Sequence, residues 1–236
     1  MKMIVAMRGL LGAGAGVLAL TLAFGSAAKA APDALPNWNG LWVHDGGLMF
    51  DPTVDKYGKP EAPPLTPQYQ KMFQDNLALR AKGDQVLDPT SKCLPPGMPR
   101  MMIMVFPMEI FQTPGQVTIF GEWASQVRRI YTDGRQHPKD LEPTFNGHSI
   151  GHWEGDTLVV DTVGIREDTS IDSSPLQHTG QIHIAERIHL VSPTVLEDQI
   201  TLTDPGVFAT PWTSARRYHR DPAATIMDYA CEGRIQ

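Results

Sequence analysis

From about residue 101 to the C-terminus, apolar and polar positions alternate with a period of two. The runs predict strands over 101–112, 117–123, 127–132, 149–153, 157–164, 181–191, 195–203, 214–219 and 227–232. Turn signals separate them: Pro114-Gly115, Asp133-Gly134, Glu154-Gly155-Asp156 and Ser192-Pro193. Many short strands joined by tight turns predict an antiparallel meander. Closure into a barrel removes the exposed edges of such a sheet. Upstream the pattern is weaker. Residues 31–65 are rich in Pro, Gly and Asp and predict an extended arm with one short strand over 40–44. One helix follows. Thr66 can cap it, Pro67 suits its first turn and Gly83 its exit, while Tyr69, Met72, Phe73 and Leu77 form one apolar stripe. The fold class expected is mainly β: an antiparallel meander closing into a barrel, with an N-terminal arm and one helix.

The first thirty residues depart from this pattern. Lys2 and Arg8 precede an uncharged run from Gly9 to Gly25, and Ala28-Lys29-Ala30 ends it. A charged start, an apolar middle and an A-x-A exit predict a secretory signal peptide cleaved before Ala31. The run is shorter than the roughly 20 residues of a spanning helix. The expected organisation is therefore a signal peptide over 1–30, an arm with helix over 31–92 and a barrel over 93–236, the last two forming one globular unit. The expected localisation is periplasmic or secreted, with no stable membrane insertion. Removing the three basic residues of the leader takes the formal net charge from −6 to −9. An acidic surface argues against a nucleic-acid partner. Cys93 and Cys231 are the only cysteines. In an oxidising compartment the pair predicts a disulfide; two buried thiols are the alternative.

Within strand 181–191, Glu186 shares a face with Ile182, Ile184, Ile188 and Leu190. A carboxylate among aliphatics is either ion-paired, here with Arg128 or Arg129, or has a raised pKa suited to acid–base work. His183 and Arg187 fall on the opposite face. Asp161 stands between Val159 and Val163 on a strand whose two faces both read as covered, which predicts a buried, paired carboxylate or a catalytic one. Arg129 and Tyr131 share a face; turned inward they would hold a phenolate or carboxylate, or else the arginines neutralise Glu109, Glu122 or Glu186. His178 lies in a loop, 173–180, expected at the barrel mouth. Trp123 and His148 complete the candidate ligand contacts. His148 and His152 would stand about 13 Å apart on a strand. With no His/Cys motif of metal spacing, no metal is expected. The methionines at 98, 101, 102, 104 and 108 read as core packing or as the wall of a pocket for a flat apolar ligand. No dinucleotide or phosphate-loop motif is present, so no cofactor is expected.

Several segments together resemble a family of exported, largely uncharacterised bacterial proteins. They are Pro36-Asn37-Trp38-Asn39-Gly40-Leu41-Trp42, Cys93-Leu94-Pro95-Pro96-Gly97-Met98-Pro99-Arg100, Arg129-Ile130-Tyr131-Thr132-Asp133-Gly134-Arg135, the run from Gly147 to Thr162, His183-Ile184-Ala185-Glu186-Arg187, Asp204-Pro205 and Pro211-Trp212-Thr213. The Gly40-Leu41-Trp42 opening also resembles the first strand of lipocalin-like barrels, which implies a lipocalin-like β-barrel. Some exported bacterial proteins of this general style act on plant-derived aromatic compounds, including cofactor-free lyases of lignin dimers. The reading expected from residues and resemblance is a cofactor-independent lyase or isomerase acting on a small aromatic molecule. Glu186, Asp161, His178 and His183 would serve as proton-transfer groups, and Arg129, Tyr131, Trp123 and His148 would contact the ligand. The alternative is a carrier of a small hydrophobic molecule. Self-association is compatible with either.

Overall fold

The structure is a computed structural model that describes residues 35–45, 63–84, 86 and 88–231. The expected signal peptide and much of the arm lie outside the described residues. Nine strands form one closed barrel in chain order. They are β1 (Gly40–Asp45), β2 (Met108–Thr113), β3 (Gln116–Gly121), β4 (Gln126–Tyr131), β5 (His148–Glu154), β6 (Thr157–Val163), β7 (His183–Ser192), β8 (Val195–Thr203) and β9 (Trp212–Arg220). β1 pairs with β2 on one side and β9 on the other, so no edge stays open. The expected lipocalin-like closure is present. All seams are antiparallel except one: β4 and β5 run parallel, in register at Ile130 with Ser149 and Tyr131 with Ile150. A parallel seam cannot be joined by a tight turn. Residues 132–147 therefore cross from one barrel end to the other, and this crossing is the one departure from a pure meander.

Alternation sends one residue of each pair inward. Trp42, Ile110, Ile119, Ile130, Leu158, Val160, Ile184, Ile188, Leu196, Ile200 and Leu202 fill the lumen and are essentially solvent-free. Two strand expectations fail. Residues 101–107 do not join the sheet, because Arg100–Ile103 forms a 3-10 turn and β2 begins only at Met108. Prolines at 95, 96, 99 and 107 surround this stretch, and proline cannot donate to a ladder. Residues 227–231 likewise form no strand; the tail lies in irregular structure and Glu232 falls outside the described residues.

The helix α1 spans Pro67–Ala81 and buries only Phe73 of its expected stripe. Thr66 stands at its N-cap, but the hydroxyl donates to the Gly206 carbonyl at 3.1 Å instead of capping the helix. Asn76 and Arg80 hold α1 to the 164–182 loop by donating to the Pro175 and Ser173 carbonyls. Cys93 and Cys231 form the expected disulfide across 138 residues. The tail that it anchors crosses one end of the barrel, where the Met227 amide donates to Glu122 and Tyr229 packs on Trp123.

Candidate functional site

Inside the barrel, Arg128 points inward from β4 and meets Glu186 from β7. One guanidinium nitrogen donates to Glu186 Oε1 at 2.9 Å and the other to Oε2, a two-pronged pair. The same guanidinium reaches Ser149 Oγ at 3.3 Å and Thr162 Oγ1 at 3.2 Å. Glu186 is 1% exposed. Burial works against the Arg128 charge, but the Glu186 carboxylate overrides it and holds the pKa above the ordinary arginine value. Burial, with the Glu186 charge added, pushes the Asp198 carboxyl well above the usual carboxylate range, against the pull of Arg128 and Arg216. Burial lifts Tyr218 well above an ordinary phenol. This geometry gives Glu186 a buried ion pair and keeps it away from solvent.

Against the methionine-rich segment lies a partly open space of about 10 Å³, bounded by Met101, Met102, Met104, Met108, Trp123 and Tyr218. A cavity that takes up benzene measures about 150 Å³. The methionines thus act here as packing, and this space does not admit the flat ligand considered for it. Trp123 stacks with Phe106 and Tyr229 rather than facing a ligand. His178 is also sequestered, at 4% exposure. Its Nδ1 lies 2.9 Å from the Thr179 carbonyl and its Nε2 lies 2.7 Å from Thr169 Oγ1. Burial lowers its pKa. It is a covered loop residue, not one at an open mouth.

His178 has a consequence for stability. Its folded-state pKa is depressed below 6.5, so between the two values the unfolded chain binds the extra proton and acid favours unfolding. The contribution is intact above about pH 6.5 and is lost as pH falls toward the folded value. Urea midpoints measured from pH 7.5 to 5 should therefore decline, and the decline should be shallower in His178→Asn. Parallel slopes would refute the assignment.

The remaining candidates meet on the outer wall, over the parallel seam. Arg129 and Tyr131 leave β4 outward, opposite Arg128 and Ile130. The inward Arg–Tyr pair considered from the sequence is therefore an outward one. Both side chains line an open groove of about 440 Å³ together with Pro95, Ala124, Phe145 and His148. Ala124 and Ser125, at the floor, hold φ of 53° and 47°. Two successive left-handed non-glycine residues store strain, which structures tolerate mainly where geometry serves a site. Gly147, with φ of +64°, passes so close to β6 that a Cβ would stand 2.6 Å from the Val163 carbonyl. That close passage sets His148 at the groove edge.

Beside the groove the polar row continues. His148 Nδ1 lies 2.8 Å from His137 Nδ1. His137 Nε2 faces Asp161 Oδ2 at 3.8 Å, and the other oxygen of Asp161 bonds His183 Nε2. The Asp161 side chain is 49% exposed, not buried as its strand pattern suggested. At 3.8 Å the Asp161 carboxylate is beyond hydrogen-bond reach of His137 Nε2, but its charge favours the proton on that nitrogen. Its Nδ1 then accepts from His148 Nδ1–H, which leaves Nε2 of His148 as the basic end of the row. Burial, then the neighbouring His137 and Arg135, lower the His148 pKa and keep it neutral near pH 7. Arg135 lies 3.8 Å over the Tyr131 ring, beside the groove. Four groups read from the sequence alone (Asp161, His183, Arg129 and Tyr131) thus fall on one outer region with His148. His137 was missed as a candidate; its signal was the sequence Asp133-Gly134-Arg135-Gln136-His137, where a turn returns the chain toward the strand it has just left. Among the described residues no group of three or more His, Cys, Asp or Glu side chains is placed to hold a metal ion.

No family model matches the chain, and no curated protein matches its sequence. Among solved structures it is similar to a secretary abundant heat soluble (SAHS) protein from Ramazzottius varieornatus. The TM-score is 0.36 and the identity 10%, over 78% of this chain and 95% of that one. At that score the likeness carries no argument, and the barrel stands on its own strand register. A closed lipocalin-like barrel is compatible with binding a small molecule. Among the described residues no helix is long and apolar enough to cross a membrane.

Proposed function

We propose that this protein is an exported, cofactor-independent enzyme, a lyase or isomerase, that moves a proton on a small aromatic molecule held in the outer groove. The observation that carries the reading is His148 on the wall of a groove that also presents Arg129 and Tyr131, with His137, Asp161 and His183 continuing from it in a row beside the groove. His148 is the catalytic base. A neutral imidazole with a free Nε2 can take a proton from a carbon or hydroxyl of the ligand. His137 and Asp161 are positioning residues: they fix the tautomer and accommodate the imidazolium that forms. Arg129 holds a carboxylate or phenolate and stabilises negative charge on the ligand as the proton leaves. Tyr131 and Phe145, each with an arginine over one ring face, line the same groove. The disulfide suits an oxidising compartment, which supports placing the protein in the periplasm or outside the cell. The arm, helix and barrel would there work as one unit.

The test is turnover of lignin-type dimers and aromatic acids or phenols without added cofactor. A substrate should be found, and His148→Gln should lower kcat at least about 100-fold with an unchanged melting temperature. Asp161→Asn should lower kcat and shift the pH–rate profile, because the tautomer of His137 is no longer fixed. Full activity in His148→Gln overturns the assignment. Binding without turnover of any compound makes the groove a carrier site instead.

A further inference from the structure

A second groove lies between the N-terminal arm and the β2–β3 turn, measures about 460 Å³ and shares no lining residue with the His148 groove. Its character is different, since no charged side chain lines it. Its polar groups are the amides of Asn37, Asn39 and Gln112 and the hydroxyls of Thr113 and Thr132, and its single aromatic is Trp153. The amides are locked through their oxygens. Asn37 Oδ1 accepts from both the backbone and the side-chain nitrogen of Asn39 at 3.0 Å. Asn39 Oδ1 accepts from the backbone N–H of Gln112 at 2.6 Å, and Gln112 Oε1 accepts from the backbone N–H of Trp38 at 2.5 Å. The arm itself is clamped by Arg220, which donates to the Asn39 and Asn37 carbonyls and stacks over Trp42. With both oxygens engaged, the Nδ2 of Asn37 and the Nε2 of Gln112 are left as oriented donors. Trp153 rests on Trp38, with ring centroids 4.9 Å apart, and stays part-exposed at the groove.

We propose that this groove binds a neutral saccharide. Sugar hydroxyls accept from fixed NH₂ donors and donate to threonine oxygens. The weakly positive C–H face of a pyranose suits the electron-rich face of an indole. A charged ligand would find no counter-charge here, and a purely apolar one would strand the amide donors without partners.

Titration of the full chain with neutral gluco-, manno- and chito-oligosaccharides, followed by tryptophan fluorescence and calorimetry, tests this. At least one series should bind. Asn37→Asp and Gln112→Glu keep the locking oxygens but remove the NH₂ donors. Each should weaken binding at least about 10-fold, the worth of one hydrogen bond near 1.4 kcal/mol, with the melting temperature unchanged. Trp153→Ala should abolish the fluorescence response. Failure of every neutral sugar to bind at its solubility limit overturns the proposal. So does binding that persists in both amide variants, or capture of a proline-rich peptide in place of any sugar.

Discussion

Replacing Arg128 with Met should cost about 3–5 kcal/mol of folding stability, the scale set by stripping one partner from a buried ion pair. Glu186 would then lose its two-pronged partner and share the lumen with Asp198, with the buried Arg216 as the remaining cation near them. Ser149 and Thr162 would lose a donor they now share. Replacing Arg128 with Met and Glu186 with Leu together should recover most of the loss, because two apolar groups of similar volume need no solvation. Chemical denaturation of the three forms checks this. A single-variant loss below about 1 kcal/mol would mean that water reaches Glu186, and would return that residue to consideration as a proton-transfer group.

The Cys93–Cys231 link should have an effect of similar size. It closes a loop across 138 residues, and chain-entropy reasoning gives roughly 4–5 kcal/mol for loops of about 100 residues, with measured losses of about 2–5. The tail that it retains brings Tyr229 against Trp123 and the Met227 amide to Glu122. Reduction, or Cys93→Ser with Cys231→Ser, should lower the melting temperature by several degrees and change Trp123 fluorescence. If the groove chemistry is as proposed, turnover should persist at temperatures where the reduced protein is still folded. An unchanged melting temperature on reduction would show that tail packing, not the link, holds that end.

Barrel closure was legible in the sequence because the strands from β3 to β9 alternate and short turns make half of the links between them. Side-chain facing was legible too: Glu186 inward with Ile184 and Ile188, His183 and Arg187 outward. What failed has a common physical cause. A methionine run between prolines is apolar on every side, so its period cannot separate a strand from a buried 3-10 turn. The tail at 227–231 has alternating residues but no neighbour with which to form a ladder. Asp161 was read as buried because valines flank it. On a barrel's outer face valine is common, and the crossing segment that supplies His137 is not visible as a neighbour in a one-dimensional pattern. The placement of Arg129 and Tyr131 depended on which side of β4 was the lumen, a choice that only the pairing of Arg128 with Glu186 decides.

The parallel seam makes the chain travel the full height of the barrel outside its own wall. That detour thickens one stave into a double layer, with His148 in the groove at its edge and His137, Asp161 and His183 in a row beside it. The interior can then be as solid as any core without any loss of working surface. Sequence change can tune the groove through 132–148 while the lumen residues keep their own, separate rules. The protein has in effect divided its labour between a closed cylinder that supplies rigidity and one exposed turn of chain that is free to diversify.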